Sequence, residues 1–126
     1  MDFIREVQKK YPLALVSGAL RSEIELVLKK GGVLEAFPIV VSANDTKHGK
    51  PDPEGFLIAL AQLKKKYPNV RPETCLVLED SHAGIEAAHR ARMKVVALTH
   101  SYSQDVLKDA DFVVSSFEEI KTRILA

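Results

Sequence analysis

Four side chains of this sequence would suit one chemistry if the fold gathered them: the Ser17 hydroxyl, the Lys50 ammonium and the adjacent carboxylates of Glu79 and Asp80. Carboxylates are the hard oxygen ligands that Mg²⁺ takes, and because that ion keeps several waters, one or two of them suffice. A lysine neutralises phosphate oxygens as a point cation, while a hydroxyl and backbone N–H groups such as those of Ser17 and Gly18 orient them. Together they form an inventory for phosphoryl transfer. Each alone has an ordinary reading: Ser17 as a turn residue, Lys50 as an exposed loop lysine, and Glu79-Asp80-Ser81 as a helix cap, where carboxylates are favoured by the dipole.

The elements around them decide between these readings. Leu13, Ala14, Leu15 and Val16 make a short apolar run that stops at Ser17-Gly18, as a buried parallel strand does before a tight turn. Cys75, Leu76, Val77 and Leu78 make another, running straight into Glu79-Asp80. Ile39–Val41, Val95–Leu98 and Phe112–Val114 read as further strands. Between them lie helical patterns: Phe3, Ile4 and Val7 up to Pro12; Ile24, Val27 and Leu28, capped near Ser22 and ended by Gly31-Gly32; Phe56, Leu60 and Leu63 after Asp52-Pro53; Ile85 and Ala88; and Phe117, Ile120 and Ile124. Apolar strands alternating with helices predict an α/β fold, a Rossmann-like parallel sheet with helices on both faces.

In such a sheet ligands bind beyond the carboxyl ends of the strands. Ser17-Gly18 and Glu79-Asp80 sit at two such ends, and Lys50 lies between them in a polar loop, Ser42 to Asp52, stiffened by Pro51 and Pro53. All three at strand-to-loop transitions favour the joint reading over the separate ones.

Those residues resemble the last three of the four motifs of the haloacid dehalogenase superfamily. Leu15-Val16-Ser17-Gly18 is similar to the strand-end Ser/Thr motif, Gly49-Lys50-Pro51-Asp52-Pro53 to the lysine motif, and Leu76 to Ile85, with Glu79-Asp80-Ser81-His82-Ala83-Gly84, to the acidic metal motif. The likeness is strongest to the β-phosphoglucomutase and phosphoglycolate phosphatase group. It implies that Ser17, Gly18 and Lys50 bind the phosphoryl group, that Ser17 and Lys50 are also catalytic, and that Glu79 and Asp80 hold Mg²⁺. It further implies a phosphatase or phosphomutase acting on a small phosphorylated metabolite through an aspartyl-phosphate. Gly84 would allow close packing at the start of its helix, and His82 reads as an ordinary helix-start histidine.

The likeness also marks a gap. The first motif, Asp-x-Asp-x-Thr on the first strand, supplies the nucleophile in this superfamily and occurs nowhere here; Asp45-Thr46 is no substitute, being in a polar loop without the preceding Asp. Residues 1–126 are therefore expected to be the C-terminal portion of the core, lacking nucleophile strand and cap, and inactive alone. The missing strand would lie between those ending at Ser17 and Glu79. Its place would be taken by re-pairing of the flanking strands, by an N-terminal segment, or by a strand exchanged with another copy. A second departure is Arg92, where the superfamily often has glycine and where a left-handed helix end is less comfortable for arginine.

Bulk properties narrow the classes. At 126 residues the chain fits one domain, and its net charge of +1 gives no reason to propose nucleic acid or a membrane surface as partner. Lys64 to Lys66 read as the solvated end of a helix. The single Cys75 allows no intrachain disulfide and reads as a small buried residue, and with no membrane-length apolar run a cytoplasmic location is expected. Two other readings are open: a noncatalytic phosphate- and metal-binding module on the same fold, and another doubly wound fold such as a receiver or flavodoxin-like domain, which gives no reason for this combination of motifs.

Overall fold

The computed structural model describes residues 2–99 and 107–125. Among the described residues five α-helices and five strands follow in the order α1 (Asp2–Val7), β1 (Ala14–Val16), α2 (Arg21–Lys30), β2 (Ile39–Val41), α3 (Glu54–Lys66), β3 (Leu76–Glu79), α4 (His82–Arg90), β4 (Lys94–Leu98), β5 (Phe112–Val114) and α5 (Phe117–Arg123). All pairings among them are parallel, with β1 on β2 in the register Leu15–Val40 and β4 between β3 and β5 in the registers Val95–Val77 and Ala97–Val113. The sheet is nevertheless in two pieces, β1-β2 and β3-β4-β5. β1 and β3 do not pair with each other, so the re-pairing considered above does not occur. Both are only half-buried along their length, whereas β4 is buried from Val95 to Leu98.

Helices, not a ladder, join the two pieces. Strand side chains alternate between faces, so Val77, Val95, Ala97 and Val113 point one way with Val16 of the other piece, and one cluster packs all of them against Phe56 and Leu60 of α3 and Ile85, Ala87 and Ala88 of α4. On the opposite face α2 covers β1-β2 through Ile24 and Leu28, and α5 covers β3-β4-β5 through Ile120. The short α1 spans that face: Ile4 joins the α2 cluster, while Phe3 joins the α5 cluster and stacks on Phe117 at 4.9 Å between ring centroids. Gly55 brings α3 against β1, since a Cβ there would stand 2.7 Å from Val16 Cγ1.

Several local expectations shift. The α2 cap is not Ser22: the helix starts at Arg21, whose N–H donates to the Asn44 side chain at 2.9 Å, while Glu23 turns back to accept from the Leu20 N–H at 3.1 Å. A cap supplied from 23 residues away leaves no local signature. Val27 is 59% exposed, because Ile24 and Leu28 alone fill the narrow stripe that α2 turns inward. The α3 cap shifts by one residue: Pro53 is the N-cap and not the first helical residue, and Asp52, one position further out, accepts from the Glu54 N–H at 2.9 Å. Cys75 is half-buried, just ahead of β3, with its thiol donating to the Arg71 carbonyl; burial pushes that thiol up. The Lys64–Lys66 run is the exposed last turn of α3.

Arg92 adopts the left-handed conformation, φ +67°, that closes α4, with the Met93 N–H returning to the Ala88 carbonyl at 3.0 Å. That conformation costs an L-residue roughly 1–2 kcal/mol, more than its exposed ion pair with Glu73 at 3.6 Å returns. Arg92→Gly is expected to stabilise the chain by about 0.5–1 kcal/mol net of the added unfolded-state entropy, seen as a higher urea midpoint at unchanged m. A lower midpoint would show that the helix end carries no such strain.

Candidate functional site

The loop carrying Lys50 is built to deliver one ammonium to the seam between the two sheets. Glu54, in the first turn of α3, accepts from the Lys47 and His48 N–H groups, both at 2.9 Å, and so folds residues 47–54 onto the helix start. Lys50 then reaches inward. Its Nζ donates to the Val16 carbonyl at the end of β1, at 3.2 Å, and to Glu79 Oε2 at the end of β3, at 2.5 Å. The Phe56 ring lies 5.2 Å from the same nitrogen. The pair is largely withdrawn from water, the lysine side chain 25% and the glutamate 10% exposed.

Ser17 and Gly18 follow Val16 directly. The Ser17 N–H extends the β1-β2 ladder to the Val41 carbonyl at 2.9 Å, and its hydroxyl accepts from the Ala19 N–H at 3.1 Å, which fixes the turn. Asp80 follows Glu79 and is exposed. Thus the ends of β1 and β3 and the lysine loop converge, with direct contacts through Val16, Lys50 and Glu79 and with Ser17, Gly18 and Asp80 as their chain neighbours.

Glu79 owes its position to a missing side chain. A Cβ on Gly84 would stand 2.0 Å from Glu79 Oε1, so only glycine in the first turn of α4 leaves room for the carboxylate. Ser81 caps α4 by accepting from the Gly84 N–H at 3.1 Å, and its hydroxyl lies 3.4 Å from the same Oε1. Glu79 and Asp80 offer the hard oxygens that suit Mg²⁺. No third His, Cys, Asp or Glu joins them in a ready ligand group among the described residues, so the donor set fits an ion that completes its shell with water and substrate oxygens. An open depression of about 400 Å³ lies elsewhere, along α4 between His82, His89 and Asp109. Its histidines are engaged in pairs, His82 with Asp109 at 3.5 Å and His89 with Asp111 at 3.1 Å, and none of the convergent groups lines it.

The haloacid dehalogenase-like hydrolase profile matches residues 2–98. This chain belongs to that family. Among similar proteins, the chain is 34% identical over 122 residues to validoxylamine A 7'-phosphate phosphatase of Streptomyces hygroscopicus subsp. limoneus, covering 96% of this chain and 55% of that protein. It is 38% identical over 114 residues to the chloroplastic 5-amino-6-(5-phospho-D-ribitylamino)uracil phosphatase of Arabidopsis thaliana, covering 90% of this chain and 29% of that one. A crystal structure of β-phosphoglucomutase from Clostridium difficile superposes with a TM-score of 0.77 at 28% identity, covering 98% of this chain and 52% of the other. The chain spans about half the length of that structure and of the Streptomyces relative, and less of the Arabidopsis one. Membership also decides against a receiver or flavodoxin-like domain, and partial coverage accords with a C-terminal portion of a hydrolase core.

Sequence reasoning missed the clasp that holds the Ser17 and Lys50 loops together. Arg21 Nη2 donates to the Val40 carbonyl at 2.6 Å and to Asp45 Oδ2 at 3.0 Å; the same oxygen accepts the Ser42 N–H at 2.8 Å and the Ser42 hydroxyl at 2.9 Å. The Ala43 N–H adds a bond to the Ala19 carbonyl at 2.9 Å, and Ser42 is fully buried. The Ser-Ala-Asn-Asp run is a turn signal, but its partner Arg21 is 24 residues away in sequence.

The Ser42 N–H above all, then the Ser42 hydroxyl and the Arg21 guanidinium, hold the Asp45 carboxyl below the usual carboxylate range. A depressed folded pKa gives stability that is complete above the ordinary value of about 4 and is lost as pH falls through the folded one. Asp45→Asn should therefore lower the melting temperature at pH 7, with the gap to the parent closing as pH falls below about 4. A gap that is the same at pH 7 and pH 3 would remove the charged clasp.

Proposed function

We propose that this chain is the phosphate- and metal-binding portion of a Mg²⁺-dependent phosphatase or phosphomutase core, acting on a small phosphorylated metabolite. The observation that supports the reading is the Lys50 ammonium touching both the β1 end at Val16 and the β3 end at Glu79, the two strand ends that Ser17 and Asp80 directly follow. In this reading Ser17, with the backbone at Gly18, orients the phosphoryl oxygens, and Lys50 neutralises them. Glu79 and Asp80 hold Mg²⁺, which supplies charge stabilisation to the phosphoryl oxygens when bound.

The attacking group comes from outside these residues. An aspartate oxygen bonds to phosphorus as the ester P–O bond breaks, the departing oxygen takes a proton, and an acceptor then attacks the aspartyl-phosphate to regenerate the carboxylate. The facing edges of β1 and β3 suit one further parallel strand, from an N-terminal segment or from a second copy. Residues 1–126 are then one incomplete core domain, working in the cytoplasm. A noncatalytic phosphate- and metal-binding module is the second reading, and what favours it is the absence of Asp-x-Asp-x-Thr from the chain.

Phosphate release from a panel of sugar phosphates and phosphoglycolate separates the two. The chain alone should be inactive with Mg²⁺, and a supplied segment bearing Asp-x-Asp-x-Thr should confer activity that Lys50→Met lowers by roughly 10²–10³-fold. Full activity without the segment would overturn the account of the nucleophile; no activity with it would favour the binding module.

A further inference from the structure

The Lys50–Glu79 contact sets two tasks against each other. In the proposed function Lys50 must meet phosphate oxygens and Glu79 must meet a cation, yet in the protein as folded each is held by the other at 2.5 Å. An anion approaching Lys50 competes with a carboxylate already bonded to it and is repelled by that same charge. A divalent cation at Glu79 and Asp80 reverses both effects, by drawing the Glu79 charge to itself and leaving the ammonium to the anion. Lys50 loses little by the exchange, for the Val16 carbonyl at 3.2 Å and the Phe56 ring at 5.2 Å continue to hold its nitrogen near the seam.

We infer that Glu79 is shared between Lys50 and the cation site, so that a divalent cation and phosphate bind this chain with positive coupling, and that Gly84 positions Glu79 for this exchange. The inference rests on the proposed function and adds to it an interaction between its two ligands. Gly84 enters because a Cβ there would overlap the Glu79 carboxylate itself, at 2.0 Å from Oε1 and 2.1 Å from Cδ, so any side chain at that position pushes the carboxylate off the place from which it reaches Lys50. Coupling between two sites is reciprocal: whatever factor Mg²⁺ adds to phosphate affinity, phosphate adds to Mg²⁺ affinity.

The test is calorimetric titration of the chain with inorganic phosphate at fixed Mg²⁺ concentrations, and with Mg²⁺ at fixed phosphate. Each ligand should tighten the other by the same factor, within the roughly 5- to 150-fold range usual for coupled sites. Glu79→Gln should bind phosphate in the absence of metal several-fold more tightly than the parent, and should lose the enhancement by Mg²⁺. Asp80→Asn removes an equal charge one residue away but leaves the Lys50–Glu79 pair, so its metal-free phosphate affinity should stay nearer the parent. Gly84→Ala should shift phosphate affinity in the direction of Glu79→Gln, and it carries the test if the latter fails to fold by circular dichroism. Phosphate and Mg²⁺ that both bind but ignore one another, or a metal-free affinity unchanged in Glu79→Gln and Gly84→Ala, would overturn the inference while leaving the proposed function standing. Failure of both ligands to bind at all would overturn the two together.

Discussion

One ammonium at the seam between two sheets is the contact on which the site depends. Lys50 bonds the last carbonyl of β1 and the last side chain of β3, the two strands that share no ladder. A parallel sheet ordinarily fixes the spacing of its strand ends through continuous hydrogen bonding. Here α3 and α4 on one face and α1 on the other hold the two pieces in register through packing, and the lysine joins them where the chemistry would occur. A half-buried ammonium on a half-buried carboxylate is favourable only when well aligned and bonded, and the 2.5 Å contact, the Val16 carbonyl and the Phe56 ring meet that condition.

Around that contact the structure uses small residues and distant polar partners instead of long elements. Gly55 lets α3 lie against Val16, and Gly84 lets Glu79 fold over the first turn of α4. Arg21, Asn44 and Asp45 tie the turn after β1 to the turn after β2, and so link the segment carrying Ser17 to the start of the Lys50 loop. The strands, three to five residues each, are too short to supply such rigidity themselves. The loops are stiff because their backbone N–H groups end on fixed side-chain oxygens: Ser42 on Asp45, Lys47 and His48 on Glu54, Gly84 on Ser81.

Kinship with haloacid dehalogenase-like hydrolases agrees with this geometry and gives the gap a meaning. The chain spans 55% of its Streptomyces relative, and the sheet is interrupted between the two strands whose ends carry Ser17 and Glu79. Both neighbouring strands keep apolar side chains facing the shared cluster, Val16 from one and Val77 from the other. Packing on the two faces therefore survives the interruption, and what is left incomplete is the hydrogen bonding within the layer.

The sequence by itself determined the strands, their parallel arrangement and the two strand-end positions at Ser17 and Glu79, because uniformly apolar runs of three or four residues between helical patterns leave few other choices. All five strands lie within a residue of where those runs placed them, and the exposed end of α3 at Lys64–Lys66 was equally plain. Tertiary structure alone decided the rest. Periodicity could not show that Val27 faces water, that Asn44 and not Ser22 caps α2, or that Asp45 is anchored by Arg21, since each depends on a partner brought close only by folding. Nor could it show that Lys50 and Glu79, 29 residues apart, occupy one another. Local patterns record which face of a segment avoids water; they carry no record of which distant charge will stand beside it.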